Sequence, residues 1–363
     1  MKNRIGILTS GGDCSGLNSV IRAAYIRSKN MGYELIGFKR GLRGIASEIP
    51  EYLVFNDENC NESMLTTAGS IIYSDTKWMS STIESGKTKE DIKNMIYQGY
   101  ANLGLEGLIC IGGDGSLNLI GELLVGNENL NIIAVPKTID NDVNNTDFSV
   151  GFQTSLEVVV EAIENIRSTA KSHERAMVVE VMGRDAGFIA MYAGIAAGAD
   201  VILVPEFKYD IEKMKDKVKQ CFSNGKNHCI IVVAESVEAS DFKHVEENVD
   251  GIMKYSHLTY KGIGQHLVNK IKETGIESRS VTLGHVQRGG KTCINDRLLG
   301  TIFGIEAVNS IAKHDCGKLL CFSEGKLKKI DISEALKNVN KSLTESDEYV
   351  VAAKDLGVYI GEI

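Results

Sequence analysis

Short apolar runs rich in β-branched residues punctuate the chain, and between them apolar positions recur at helical spacing. Eight such runs occupy residues 5–8, 34–38, 107–111, 131–135, 177–181, 201–204, 229–234 and 280–283. Few of them alternate with polar residues, so both faces of each strand are expected to be covered, as in parallel sheets layered between helices. The pattern predicts an α/β fold. Such sheets bind ligands beyond the carboxyl ends of their strands, so the segments following the runs are where chemistry is expected. Pro136 and Pro205 stand directly after two of the runs and mark strand ends.

Composition narrows the class. With 363 residues, 43% hydrophobic and 24% charged, the chain can bury a large core as two domains or one large α/β unit. A net charge of -8 gives no general attraction to nucleic acid or to an anionic membrane, so no partner of either kind is expected and anionic ligands need local basic sites. No apolar run is long enough to span a bilayer, and the opening MKNRIGILTS is too short in its apolar part for a secretion signal. Cys14, Cys60, Cys110, Cys221, Cys229, Cys293, Cys316 and Cys321 follow no framework spacing, and are read as reduced thiols of a cytoplasmic protein.

Three segments after strand-like runs carry candidate chemistry. In IGGDGS, Gly112, Gly113 and Gly115 permit positive φ and close backbone approach, so N–H groups can line a polyphosphate while Asp114 holds its counter-ion. A tight strand-to-helix turn capped by Asp114 and Ser116 accounts for the same residues. TSGGDCSGLNSVIRAA, residues 9–24, has the same form and offers an anion the start of a helix. A nicotinamide dinucleotide fold would need an acid after the second run, where Lys39 and Arg40 stand instead.

The third segment is VPKTIDNDVNN, residues 135–145. Read as extended chain, it points Asp140 and Asp142 the same way, one to take a proton from a substrate hydroxyl and the other to help place a metal. A surface turn rich in Asn and Asp has the same local composition. Farther on, SHERAMVVEVMGRDAG, VVAES and SRSVTLGHVQRGG place Arg175, Arg184, Arg279, His285 and Arg288 at strand ends, a set suited to a phosphorylated small molecule. Glu235 is expected to accept from sugar hydroxyls.

TSGGDCSGLNSVIR, IGGDGS, PKTIDND, SHER, VMGRDAG, VPE, LGHVQRGG and DRLLG follow one another between residues 9 and 300, and through them the sequence resembles the 6-phosphofructokinase family. The resemblance implies two doubly wound, Rossmann-like three-layer domains with mainly parallel sheets. Residues 1–150 with about 287–338 would form the larger, phosphoryl-donor domain, and 151–286 with about 339–363 the smaller, fructose 6-phosphate domain. It implies ATP and Mg²⁺ as donor and cofactor, with Asp140 as catalytic base and Thr138 and Arg184 steadying the transferring phosphoryl. Gly12, Lys77, Gly113, Asp114, Gly115 and Ser116 would contact the donor, and Asp114 and Asp142 would manage the metal. The sugar phosphate would meet Thr138, Ile139, Asp140, Arg175, Met182, Gly183, Arg184, Glu235, Arg279, His285, Val286, Gln287 and Arg288. Because positions matching Arg175 and Arg279 reach a neighbouring subunit's sugar site in this family, a homo-oligomer, dimer or tetramer, is implied.

Donor choice rests on two positions. Pyrophosphate users resemble GGDD and PKTIDND, and many ATP users have GGDG and PGTIDND, whereas this chain combines Gly115 with Lys137. Glycine leaves room for an α-phosphate that a carboxylate would repel, which favours ATP. The usual donor-contacting arginine is missing from TTAGSIIYSDTKWMSS, where Thr76 is the ungapped match and Lys77 the nearest cation. At the family's nucleotide-effector positions Arg22, Arg167 and Lys226 are basic, but Ile26, Glu58 and Asn224 are not. Residues 236–275 resemble the longer variant of the family. The alternatives are a pyrophosphate-dependent phosphotransferase, a GGDG-type lipid or NAD kinase, and a non-catalytic regulatory subunit.

Overall fold

The computed structural model describes residues 3–124, 130–238, 262–338 and 340–362. The lengthened segment falls largely outside them, at 239–261, while its tail forms the helix Ile263–Lys272. The chain divides into two compact units, Met1–Ser155 with Arg288–Lys341, and Leu156–Gln287 with Ser342–Ile363.

In chain order the strands are β1 (Arg4–Thr9), β2 (Glu34–Phe38), β3 (Tyr52–Val54), β4 (Leu105–Gly112), β5 (Ile132–Pro136), β6 (Ala176–Val181), β7 (Val201–Leu203), β8 (Cys229–Ala234), β9 (Ser278–Thr282), β10 (Lys318–Ser323) and β11 (Lys326–Asp331). Each of the eight expected runs coincides with a strand, three of them (131–135, 201–204 and 280–283) overrunning it by one residue. The first unit holds a seven-stranded sheet ordered β11-β10-β5-β4-β1-β2-β3, parallel except at β2–β3 and β10–β11. The second holds the all-parallel sheet β7-β8-β6-β9.

Both faces of the central strands are covered, as continuous apolarity requires: Ile109, Cys110, Ile111, Ile133, Ala134 and Val135 are all buried. Each large side chain so buried contributes about 1.5–3 kcal/mol. Helix Leu17–Asn30 packs on helix Ile294–Ala312 at a glycine contact, where a Cβ on Gly304 would stand 2.3 Å from the Val20 carbonyl. Any side chain at Gly304 would push apart the helices that aim the glycine turn after β1.

Strands β3, β10 and β11 are not among the expected runs, although residues 52–55 and 319–322 are continuously apolar; of the three only β11 lacks such a run. They are antiparallel or marginal members of the sheet, and in β11 lysines occupy three of six positions. A half-exposed edge strand needs no apolar run.

Candidate active site

The large sheet reverses its order between β1 and β4: from β1 the chain proceeds outward to β2 and β3, then crosses to β4 and β5 on the other side. A crevice at the carboxyl ends of strands is the expected ligand position at such a switch. Two glycine turns flank it. Gly11 has φ +82°, Ser10 N–H donates to the Ile111 carbonyl at 2.9 Å, and Lys137 N–H donates to the Gly112 carbonyl at 2.9 Å, so the ends of β1, β4 and β5 are tied together.

The glycines of IGGDGS serve differently from the expectation that they supply positive φ. None of Gly112, Gly113 and Gly115 adopts it. The strand runs straight into a helix beginning at Asp114, and Gly112 is small because a Cβ there would lie 2.4 Å from that of Ser116. Around Gly115, in the first helical turn, no atom beyond its chain neighbours and its own helix backbone lies within 4 Å of the Cβ position. Its smallness answers to nothing within the chain.

Beyond β5 the chain is not extended. Residues 139 and 140 bend and Asn141 has φ 54°, so the period-two argument that aligned Asp140 with Asp142 does not hold. What arranges Asp140 is a local turn. Its N–H donates to Thr138 Oγ1 at 3.1 Å, and the Thr138 hydroxyl lies 3.4 Å from Asp140 Oδ2. Asn141 locks the bend, its Oδ1 accepting from Ser149 N–H and its Nδ2 donating to the Asp147 carbonyl. Asp140 and Asp142 are both buried, and the Ile139 side chain points into the core.

Lys137 is a buried cation in this crevice, its Nζ donating to the Gly12 carbonyl at 2.5 Å. Burial lowers its pKa, a loss only partly offset by the nearby Cys14, Asp140 and Asp13. Arg288 reaches the same turn, Nη1 donating to the Asp13 carbonyl at 3.2 Å and standing 2.7 Å from where a Gly12 Cβ would lie. Lys77 is exposed at the start of helix Trp78–Glu84. Its neighbours make the contacts with the glycine turn, Ser74 Oγ donating to the Gly11 carbonyl at 2.5 Å and Gly11 N–H to the Asp75 carbonyl at 3.4 Å. Sequence reasoning missed Ser74 and Asp75 because it sought a cation there.

In the second unit, the end of β6 turns sharply at Gly183 (φ +149°), where a Cβ would lie 2.4 Å from the Ala186 carbonyl. Arg184 follows with φ 53°, a left-handed conformation that costs a non-glycine residue about 1–3 kcal/mol. Glu235 supports the turn, Oε1 accepting from Arg184 N–H at 3.2 Å. Gln287 is buried and spends its amide on the protein, Oε1 accepting from Met182 N–H and Nε2 donating to the Gly284 carbonyl. It therefore positions Met182, while His285 and Val286 beside it are exposed. Glu206 of the VPE segment, given no role above, accepts from Gly187 N–H and Leu343 N–H, and burial raises its pKa.

Arg175 and Arg279 are not brought to this turn. Arg175 directly precedes β6 and Arg279 is the second residue of β9, whereas Met182, Gly183 and Arg184 follow the end of β6. One strand of six residues, roughly 20 Å, separates the two groups. Glu277 lies between the two arginines, 2.9 Å from Arg279 Nη2 and 3.9 Å from Arg175 Nη2.

The phosphofructokinase family model matches residues 4–311. The chain belongs to the phosphofructokinase family. It is 37% identical over 362 residues to "ATP-dependent 6-phosphofructokinase 1" of Synechocystis, covering 99% of this chain and 98% of that one. It is also 37% identical over 351 residues to the pyrophosphate–fructose 6-phosphate 1-phosphotransferase of Dictyoglomus thermophilum, covering 95% and 97%. A solved phosphofructokinase from Saccharomyces cerevisiae superimposes with TM-score 0.77 at 27% identity, covering 98% of this chain and 48% of that longer one.

Members at nearly equal identity thus bear names with different donors, so family membership alone leaves the donor to the crevice. The residues there fit a magnesium–phosphate complex. Asp114, Asp140 and Asp142 offer hard oxygen donors, and among the described residues they are not gathered into a three-ligand cage. Magnesium characteristically uses one or two carboxylates and completes its shell with water and substrate phosphates.

Proposed function

We propose that the protein transfers a phosphoryl group from ATP·Mg²⁺ to the C1 hydroxyl of D-fructose 6-phosphate, giving fructose 1,6-bisphosphate. The observation that carries this reading is the Thr138–Asp140 turn at the end of β5, tied beside the glycine turns at the sheet's switch point. Asp140 accepts the C1 hydroxyl proton, and Thr138 holds the turn by accepting from Asp140 N–H while its single hydroxyl proton turns from the carboxylate to the transferring phosphoryl. Lys137, held against the Gly12 carbonyl, supplies positive charge beside the donor's phosphates. Asp114 and Asp142 would hold Mg²⁺, which would supply charge neutralisation to the phosphates. Arg184 and Glu235 belong to the sugar's site, in the Leu156–Gln287 unit, with His285 and Arg288 on its phosphate. The separation of Arg175 and Arg279 from that turn supports a homo-oligomer in which they serve a neighbouring copy. No helix among the described residues is long and apolar enough to cross a membrane, and we place the enzyme in the cytoplasm.

Gly115 favours ATP: the open space around it admits a third phosphate and its nucleoside. Lys137 and the pyrophosphate-named relatives support pyrophosphate as the second reading. A coupled assay of purified protein with fructose 6-phosphate and either donor decides. We expect kcat/KM for ATP·Mg²⁺ to exceed that for pyrophosphate by about tenfold or more, a difference of about 1.4 kcal/mol. Faster turnover with pyrophosphate would overturn the donor, and no phosphorylation with either would overturn the reaction.

A further inference from the structure

At the amino ends of β7 and β8, on the opposite side of the small sheet from Glu235, two thiols and a carboxylate converge. Cys221 lies near the end of helix Ile211–Ser223, Cys229 opens β8, and Asp200 directly precedes β7. Their ligand atoms all lie within 4.8 Å of one another, and no other trio of His, Cys, Asp or Glu among the described residues does so. Both cysteines are buried. The Cys229 thiol donates toward Cys221, which lowers the pKa of Cys221 and, together with burial, raises that of Cys229.

The carboxylate is already aimed. Asp200 Oδ2 accepts from Ile230 N–H at 3.0 Å, and Oδ1 meets the Lys226 ammonium at 2.5 Å. That ammonium supplies one positive charge beside a group of three acids. A cavity of about 190 Å³ lined by Asp200, Lys217, Gln220, Cys221, Asn224 and Lys226 leads in from the surface. It gives an ion an entry path and leaves room for a water ligand.

We propose that Asp200, Cys221 and Cys229 form a zinc site. Two sulfurs and one oxygen are a donor set for Zn²⁺, whereas Mg²⁺ and Ca²⁺ take oxygen alone. On binding, two Zn–S bonds form and the thiol protons leave to solvent. Asp200 Oδ1 exchanges the ammonium for the metal, while Oδ2 keeps its backbone hydrogen bond and so fixes the ligand's orientation. Cys229 and Glu235 bound β8 at opposite ends, about 20 Å apart, so the ion takes no part in sugar chemistry. It clamps helix Ile211–Ser223 to the sheet.

The test titrates the reduced, metal-free full chain with Zn²⁺ against a chromophoric chelator, and separately with Co²⁺. We expect one ion per chain, sulfur-to-cobalt charge-transfer absorption in the near ultraviolet, and affinity lower by about tenfold or more in Cys221→Ser and Cys229→Ser. Lys226→Gln, which removes the competing ammonium, should bind Zn²⁺ more tightly than the wild type. Cys229 is deep in the core, where a substitution also tests folding, so the Cys221 and Lys226 variants and the wild-type cobalt spectrum each stand as tests. Absence of Zn²⁺ binding, a cobalt complex without sulfur absorption, or affinity unchanged in Cys221→Ser would overturn the site.

Discussion

Glu277 holds Arg279 in an ion pair of 2.9 Å and places the same carboxylate oxygen 3.9 Å from Arg175. Two guanidinium groups proposed to meet a neighbour's sugar phosphate therefore share one acid, half-exposed at the start of a strand. Glu277→Gln should free both. Exposed pairs contribute up to about 1 kcal/mol, so KM for fructose 6-phosphate should fall by up to about fivefold with kcat unchanged. A rise in KM would show that Glu277 orients the arginines and does not compete for them.

Arg175→Ala should act mainly on KM, because a phosphate contact is made in ground and transition states alike. Mixed with Asp140→Asn subunits under conditions of demonstrated exchange, it should regain activity, since one intact base can face one intact arginine. Exchange without recovery would argue against a site shared between copies.

Asp140→Asn keeps the size of the side chain and its place in the turn, but not its basicity. Fructose 6-phosphate binding should persist while kcat falls by about 10²-fold or more. Near-normal kcat would remove Asp140 from proton transfer.

Gly115→Asp tests the donor without disturbing the fold, because the backbone there is not in the left-handed region and the Cβ has open space. A carboxylate against the α-phosphate costs several kcal/mol, so ATP-dependent kcat/KM should drop by about 10²-fold or more while Tm changes little. Pyrophosphate turnover, which involves no α-phosphate, should be kept or gained. Unchanged ATP turnover would move donor choice to the residues around Asp75.

The buried Lys137 predicts a pH dependence of stability. Its folded-state pKa is lowered from 10.5, so between the lowered value and 10.5 the unfolded chain binds a proton that the folded chain has released. Stability attributable to this residue therefore rises with pH across that interval, and below it the burial penalty is present in full. Denaturant unfolding of wild type and Lys137→Met should show a free-energy difference that shifts in favour of the wild type toward pH 10. A difference flat in pH would mean the ammonium carries no burial penalty.

Eight of the nine strands with a parallel partner were legible because continuous apolarity has few other uses in segments of that length, and the ninth, β10, was passed over although residues 319–322 are apolar. The site was legible as composition and less so as geometry. Nothing in TIDND says that Asn141 will turn left-handed and replace an extended segment by a bend, since that depends on partners at Asp147 and Ser149. Nor can a glycine in sequence declare why it is small: Gly112 answers to Ser116, Gly304 to another helix, and Gly115 to no atom within 4 Å beyond its chain neighbours and its own helix backbone. Arg175 and Arg279 were nominated beside Arg184, and only the strand direction reveals that one chain holds them at the far end of its sheet.

The two outer strands of the large sheet bear on how copies of the chain can associate. β3 is three residues long, and β11 faces outward with Lys326, Lys328 and Lys329 along its length. An intruding strand would find too little backbone on one margin and clustered ammonium groups on the other. Growth of this sheet from molecule to molecule is thereby discouraged at both margins. The proposed assembly, in which copies exchange arginines, is therefore expected to form through surfaces other than the margins of this sheet.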